Sequence, residues 1–198
     1  MSTFYLIRHA TNDLVGNLIP GWMPGLSLSA EGREQAERLA WKLLGRGITR
    51  IYSSPLERAL ETAAPIAKAL DLKVEVRDAL GEVRAGKWTG RRVDELEHDP
   101  LWRRFQAFPS GSRAPGGGES LAEVQARIVT ELECLQARHP EETVAVVSHA
   151  DIIRAALAYF AGIPADFWQR FEISPASFSI LALDERAARI LKLNETAD

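Results

Sequence analysis

Five side chains in this 198-residue chain are of the types that phosphate chemistry uses: Arg8, His9, Arg58, Glu82 and His149. Arg8 and His9 follow directly on the apolar run Tyr5, Leu6 and Ile7. His149 comes just after Thr143 to Val147, the most clearly buried strand pattern in the sequence. Arginine presents a planar fork that suits phosphate oxygens, and a helix beginning after His149 adds backbone donors and the positive end of its dipole. A dianionic phosphate is the guest these groups suit. A neutral imidazole is a nucleophile toward phosphorus, and nearby cations disfavour its protonated form, so Arg8 and Arg58 would keep His9 reactive. Attack would leave a phosphohistidine, with the other ring nitrogen held by an acceptor. His149 would donate hydrogen bonds to the equatorial oxygens in the transition state. Glu82 would protonate the leaving oxygen and later deprotonate water. Taken alone, Arg8-His9 reads equally well as a surface charge beside a satisfied loop histidine.

Bringing these groups together requires parallel strands whose carboxyl ends share one rim, the place where open α/β sheets bind ligands. The pattern supplies them. After the first strand, Thr11 to Leu28 is rich in glycine, proline and asparagine (Gly16, Asn17, Pro20, Gly21, Pro24, Gly25) and reads as a long functional loop. Ser29 caps a helix from about Ala30 to Leu44, which Gly45 and Gly47 stop. Ile48 to Ser53 makes a second strand, and Ser53-Ser54-Pro55 turns it into a helix from about Leu56 to Leu70, with Pro55 suited to a first-turn position. Lys73 to Val76 alternates as an outer strand does. Ala79 to Gly118 is an excursion with one or two short helices, expected to cover the strand ends as a lid. Helical spacing returns over Glu119 to Arg138. The strand ending at Ser148-His149 leads into a helix from about Ala150 to Ala161, and Phe178 to Leu183 with Ile190 to Leu193 reads as an edge hairpin.

Composition bounds the partners. With 26% charged and 46% hydrophobic residues and a net charge of -3, the chain does not resemble a basic nucleic-acid surface. Its length fits one domain over 1–198 with an insertion at about 82–118. Cys134 is the only cysteine, so no internal disulfide is available and a reducing compartment fits. The best apolar run, Ile152 to Ile163, is too short to span a bilayer and carries Arg154. The expectation is a soluble, cytoplasmic protein without membrane or nucleic-acid partners; a homodimer is allowed.

Arg8-His9, YSSPLERALETA (Tyr52 to Ala63), LGEVRAGKWTG (Leu80 to Gly90), PGGGES (Pro115 to Ser120) and SHADIIRAAL (Ser148 to Leu157) occur in one order over most of the chain. Together they resemble the histidine phosphatase superfamily in its phosphoglycerate-mutase-like branch. Any one segment is weak; five in sequence are specific. The resemblance implies a three-layer α/β/α fold with a mostly parallel sheet and an inserted lid. It also implies a phosphohistidine at His9, a phosphate pocket from Arg8, Arg58 and His149, and Glu82 as proton donor, with no metal and no cofactor. The chain departs from the family pattern after the histidine, where Ala10 and Thr11 replace the usual glycine and glutamate. Asn17 is the nearest match to the family's loop asparagine, with Asn12 as substitute. The usual SHGG-like run appears as Ser148-His149-Ala150-Asp151, making Ala150 a candidate backbone contact.

Other candidates have structural readings. Asp151 is expected to serve the helix dipole rather than to touch substrate. His98 and His139 are expected on the surface, Trp41 and Trp168 in the core or its shell, Trp88 beneath Glu82, and Glu57 and Glu61 as solvated ion-pair partners. Three functions remain: a hydrolase of small phosphomonoesters, a phosphomutase resembling the glycolytic enzyme, and a noncatalytic phosphate-binding module. The intact set of His9, His149, two arginines and Glu82 disfavours the last. A short glycine-rich insertion and a polar tail from Asn194 to Asp198 favour hydrolysis over the mutase, which must shield its phosphohistidine from water.

Overall fold

A computed structural model describes residues 1–197. Its centre is a six-stranded sheet in the order β3-β2-β4-β1-β5-β6, formed by β1 (Ser2–Arg8), β2 (Ile48–Ser53), β3 (Val74–Val76), β4 (Thr143–Ser148), β5 (Phe178–Leu183) and β6 (Ala188–Glu195). The first four run parallel, and β5 and β6 form the antiparallel edge. β1 lies inside the sheet because both of its faces are apolar. Phe4 and Leu6 point into one core layer and Tyr5 and Ile7 into the other, the near-continuous hydrophobic run expected of a strand covered on both sides.

Helices α1 (Ala30–Leu43) and α2 (Glu57–Leu70) cover the Tyr5 face. Helices α5 (Leu121–Arg138) and α6 (Ala150–Phe160) cover the Phe4 face together with the insertion, which contains α3 (Val93–Leu96) and α4 (Pro100–Ala107). The three layers of the expected α/β/α sandwich are thus present. The Ser29 hydroxyl accepts from Gly32 N–H to start α1, and Ser120 with Glu123 forms a reciprocal capping box on α5. Helix α6 instead starts on His149, whose side chain makes no cap bond. Among the described residues no helix is long and apolar enough to cross a membrane.

Several expectations need correction. Helix α2 begins at Glu57, so Pro55 precedes it rather than occupying its first turn, and Pro65 sits inside the helix. Trp41 is 73% exposed, because the buried stripe of α1 is Ala36, Leu39, Ala40 and Leu43 and position 41 falls off it. His139 is buried where α5 ends, with Nε2 2.7 Å from the Tyr52 hydroxyl and its carbonyl accepting from Ser2 Oγ. The charges and prolines around it in sequence suggested a surface position. The last strand is longer than the expected Ile190 to Leu193: β6 runs to Glu195, Asn194 Oδ1 accepts from Ser174 N–H at 2.6 Å, and Lys42 of α1 bonds the Thr196 carbonyl. Asp198 lies outside the described residues.

Candidate active site

Strand register brings the two histidines together. Arg8 pairs with Ser148 across β1 and β4, and His9 N–H donates to the Ser148 carbonyl at 2.9 Å. The residues one step beyond each strand, His9 and His149, therefore leave the sheet side by side, with ring centroids 5.2 Å apart and planes inclined by 59°. On the other side of β4, Ser54 N–H donates to the Val147 carbonyl at 2.9 Å. That contact sets the Ser54 hydroxyl 2.8 Å from His149 Nε2.

The ring of His9 is oriented by its own loop. Its Nδ1 lies 2.8 Å from the Ala10 carbonyl, which accepts only if Nδ1 carries the proton. Nε2 is left with its lone pair. Burial, with the charges of Arg58 and Arg8 added, pushes the His9 pKa down to about 3, against the weaker upward pull of the Ala10 carbonyl. Burial and the neighbouring cationic groups also hold His149 well below its ordinary value. Both rings are therefore neutral at physiological pH.

The arginines are built in from the backbone. Arg58, on the first turn of α2, is fully buried and donates Nη2 to the Gly21 carbonyl at 3.0 Å; Arg8 donates Nη1 to the Ile173 carbonyl at 2.5 Å. The Thr62 hydroxyl donates to the Arg58 carbonyl and accepts from Ala10 N–H, fastening α2 to the loop that carries His9. Neither guanidinium is fully satisfied. Arg8 Nε, Arg58 Nε, Arg58 Nη1 and His149 Nδ1 are buried nitrogens without a hydrogen-bond partner among the described residues. Buried donors left unpaired are costly, and a cluster of them implies an acceptor that the folded chain does not itself provide. A phosphoryl group has the charge and the oxygens to fill that role.

Glu82 stands over this cluster with Oε2 3.7 Å from His149 Nδ1, while its Oε1 accepts from Val83 N–H at 2.9 Å. Its carbonyl is gripped by Trp22 Nε1 at 2.5 Å and Arg127 Nη2 at 3.1 Å. Burial and the nearby Asp151 carboxylate raise its pKa to about 7, opposed by Arg58, the Val83 N–H and Arg8. A carboxyl tuned to that value can give and take a proton near neutrality.

With the geometry in place, comparison with known proteins gives the family. The model of the histidine phosphatase superfamily, branch 1, matches residues 4–196. This chain is a histidine phosphatase superfamily member. Phosphoserine phosphatase 1 of Hydrogenobacter thermophilus is 36% identical over 206 residues, covering 99% of this chain and 93% of that protein. The 2,3-bisphosphoglycerate-dependent phosphoglycerate mutase of Thermoplasma acidophilum is 30% identical over 98% of this chain and 92% of its own length. Among solved structures, a mycobacterial glucosyl-3-phosphoglycerate phosphatase complexed with VO3 superposes with a TM-score of 0.88 at 30% identity, covering 98% of this chain and 99% of that one.

The fold places Arg8, His9, Arg58, Glu82 and His149, the five side chains singled out in the sequence, in one cluster. Ala150 opens α6 beside His149. Asn17 is exposed on the loop, its carbonyl accepting from Val93 N–H, whereas Asn12 is buried and its Oδ1 accepts from Leu14 N–H. Neither asparagine is bonded to the histidine pair. Ser54, Trp22, Arg127 and the Gly21 and Ile173 carbonyls went unrecognised. Ser54 lies inside a matched segment and could have been noticed; the rest act through tertiary contacts that leave no local pattern.

Beyond Glu82 a cavity of about 100 Å³ opens under the insertion. Its apolar wall includes Val83, Ala85, Trp88, Trp102, Phe105 and Trp168. Trp88 is buried as expected and stands edge-on to Trp102 at 5.1 Å and to Phe105 at 5.4 Å. Asp151 stands in the first turn of α6, as expected, where it bonds Arg154 at 3.0 Å, and it also lines the cavity.

Proposed function

We propose that this protein hydrolyses phosphomonoesters of small metabolites through a phosphohistidine on His9, without a metal or cofactor, as one domain with its lid at about 82–118. The observation that carries the reading is His9 Nδ1 set 2.8 Å from the Ala10 carbonyl, which turns Nε2 into the nucleophile, beside four buried nitrogens that lack partners among the described residues. Phosphoryl transfer needs little covalent help from a protein beyond positioning and charge stabilisation, which this arrangement offers. Arg8 and Arg58 bind the phosphoryl oxygens. The Ser54 hydroxyl donates to His149 Nε2, so that His149 Nδ1–H faces the transferring group. Protonated Glu82 gives its proton to the leaving alcohol, and the resulting carboxylate then takes one from the water that attacks phosphorus. The Ala150 N–H at the start of α6 adds a backbone donor, and Asn17 serves as an outer contact for the leaving group. Cytoplasmic residence, with a homodimer allowed, completes the reading.

Phosphomutase action is the second reading, favoured by the mutase relative. Hydrolysis is preferred because the insertion is short and because the C-terminal tail is held by Lys42 on the α1 face, opposite the face bearing the aromatic cavity. The deciding experiment is incubation with 3-phosphoglycerate, with and without 2,3-bisphosphoglycerate, following free phosphate and the 2-phospho isomer together. Phosphate without isomer is expected. Isomer forming faster than phosphate would make the protein a mutase.

A further inference from the structure

The cavity beyond Glu82 is where a leaving group must sit if His9 attacks phosphorus and Glu82 protonates the departing oxygen. Its lining is one-sided. Of the residues that form it, the charged ones are both acids, Glu82 and Asp151, and no lysine or arginine is among them. Glu82 enters the reaction protonated, which leaves Asp151, ion-paired with Arg154, as the other acid of the wall. Arg154 itself does not line the cavity and is already engaged, with Nη1 bonded to Asp151 at 3.0 Å and Nε donating to the Phe171 carbonyl at 2.9 Å. Arg8 and Arg58 are committed to the phosphoryl group. The rest of the wall is uncharged and largely aromatic and aliphatic, and Trp168, only 2% exposed, brings a buried indole N–H that has no acceptor among the described residues. A neutral hydroxyl can accept from that donor and stack its carbons on the rings. A second carboxylate would lose hydration there beside the Asp151 carboxylate, with no lysine or arginine in the cavity wall to pair with it.

We infer that this site selects phosphate esters whose leaving alcohol bears no carboxylate, with an uncharged or amine-bearing skeleton packed against Trp88, Trp102 and Trp168. The inference rests on the phosphatase reading above and narrows it. It also separates this chain from relatives whose names refer to phosphoserine and phosphoglycerates, all esters of carboxylated alcohols.

Two matched pairs isolate the carboxylate. Glycerol 3-phosphate differs from 3-phosphoglycerate in carrying a hydroxymethyl group where the acid has its carboxylate, and phosphoethanolamine differs from phosphoserine in lacking the carboxylate. In each pair the carboxylate-free ester should have the higher kcat/KM by about tenfold or more. Asp151→Asn should narrow both ratios severalfold, a change within matched pairs that loss of folded protein cannot produce. Ratios at or below one in an active enzyme would overturn the inference and leave the phosphatase reading standing. So would ratios that Asp151→Asn fails to move. Release of phosphate from none of the four esters would overturn both.

Discussion

Replacing Glu82 by glutamine keeps the shape of the side chain and removes its proton chemistry, so its effect should depend on pH and on the leaving group in a calculable way. Glu82 has a pKa of about 7, raised by burial and by Asp151. In the free enzyme the acid form is therefore about half populated at neutrality and falls tenfold per pH unit above it. With glycerol 3-phosphate, whose alkoxide leaves only with a proton, kcat/KM should decline above pH 7. Glu82→Gln should abolish that decline while lowering the rate by roughly 10²- to 10⁴-fold, the usual range for a positioned general acid. With 4-nitrophenyl phosphate the phenolate departs unaided, and the loss in kcat/KM should be about tenfold or less by the same reasoning. The assay is kcat/KM from pH 5 to 9 for both esters and both proteins. An alkaline limb near pH 7 that survives in Glu82→Gln, or an equal loss on the two esters, would refute the assignment of Glu82 as the acid.

Other perturbations reach other parts of the site. Arg58→Lys keeps the charge but loses the fork that reaches both Gly21 and the phosphoryl group, and should cost about 1.5 to 3 kcal/mol, or at least roughly tenfold in kcat/KM, with little change in Tm. Unchanged kinetics would remove Arg58 from the phosphate site. Ser54→Ala frees His149 Nε2 and should lower kcat by roughly twofold to tenfold, as expected for one neutral hydrogen bond. Acid stability follows from His9. A folded pKa of about 3 against an ordinary 6.5 means that the folded state resists protonation, so stability is full above pH 6.5 and is lost as pH falls toward 3. Glu82 works in the opposite sense, favouring the folded state most below its ordinary 4.5 and losing that advantage as pH rises through about 7. Between pH 7 and 4, His9→Asn should lose about 3 kcal/mol less than the wild type in urea unfolding. Equal losses would mean that His9 is not held neutral by the fold.

Most of the fold was legible in the sequence because its central strands are apolar on both faces and are bounded by glycine, proline and serine. Phe4 to Ile7 and Val144 to Val147 can only be buried, and the residues that break those runs, Arg8-His9 and Ser148-His149, mark the rim. What was misread depends on packing direction. Trp41 and His139 exchanged surface and interior, the first through one step of helical phase and the second through a tertiary bond to Tyr52. Asp151 is a first-turn acid by sequence, and its place in the cavity wall follows from the insertion folding over α6, which no local pattern records. The clamp on Glu82 is of the same kind, since Trp22 and Arg127 meet its carbonyl from segments 60 and 45 residues away.

Covalent phosphorylation of His9 is the step on which the whole reading depends. Wild-type protein mixed with a ³²P-labelled phosphomonoester and quenched in alkali within a turnover should carry label that is stable to base, labile to acid and confined to the peptide containing His9. His9→Ala should carry none. Label on the peptide containing His149, or multiple turnovers with no protein-bound phosphate at any quench time, would contradict it.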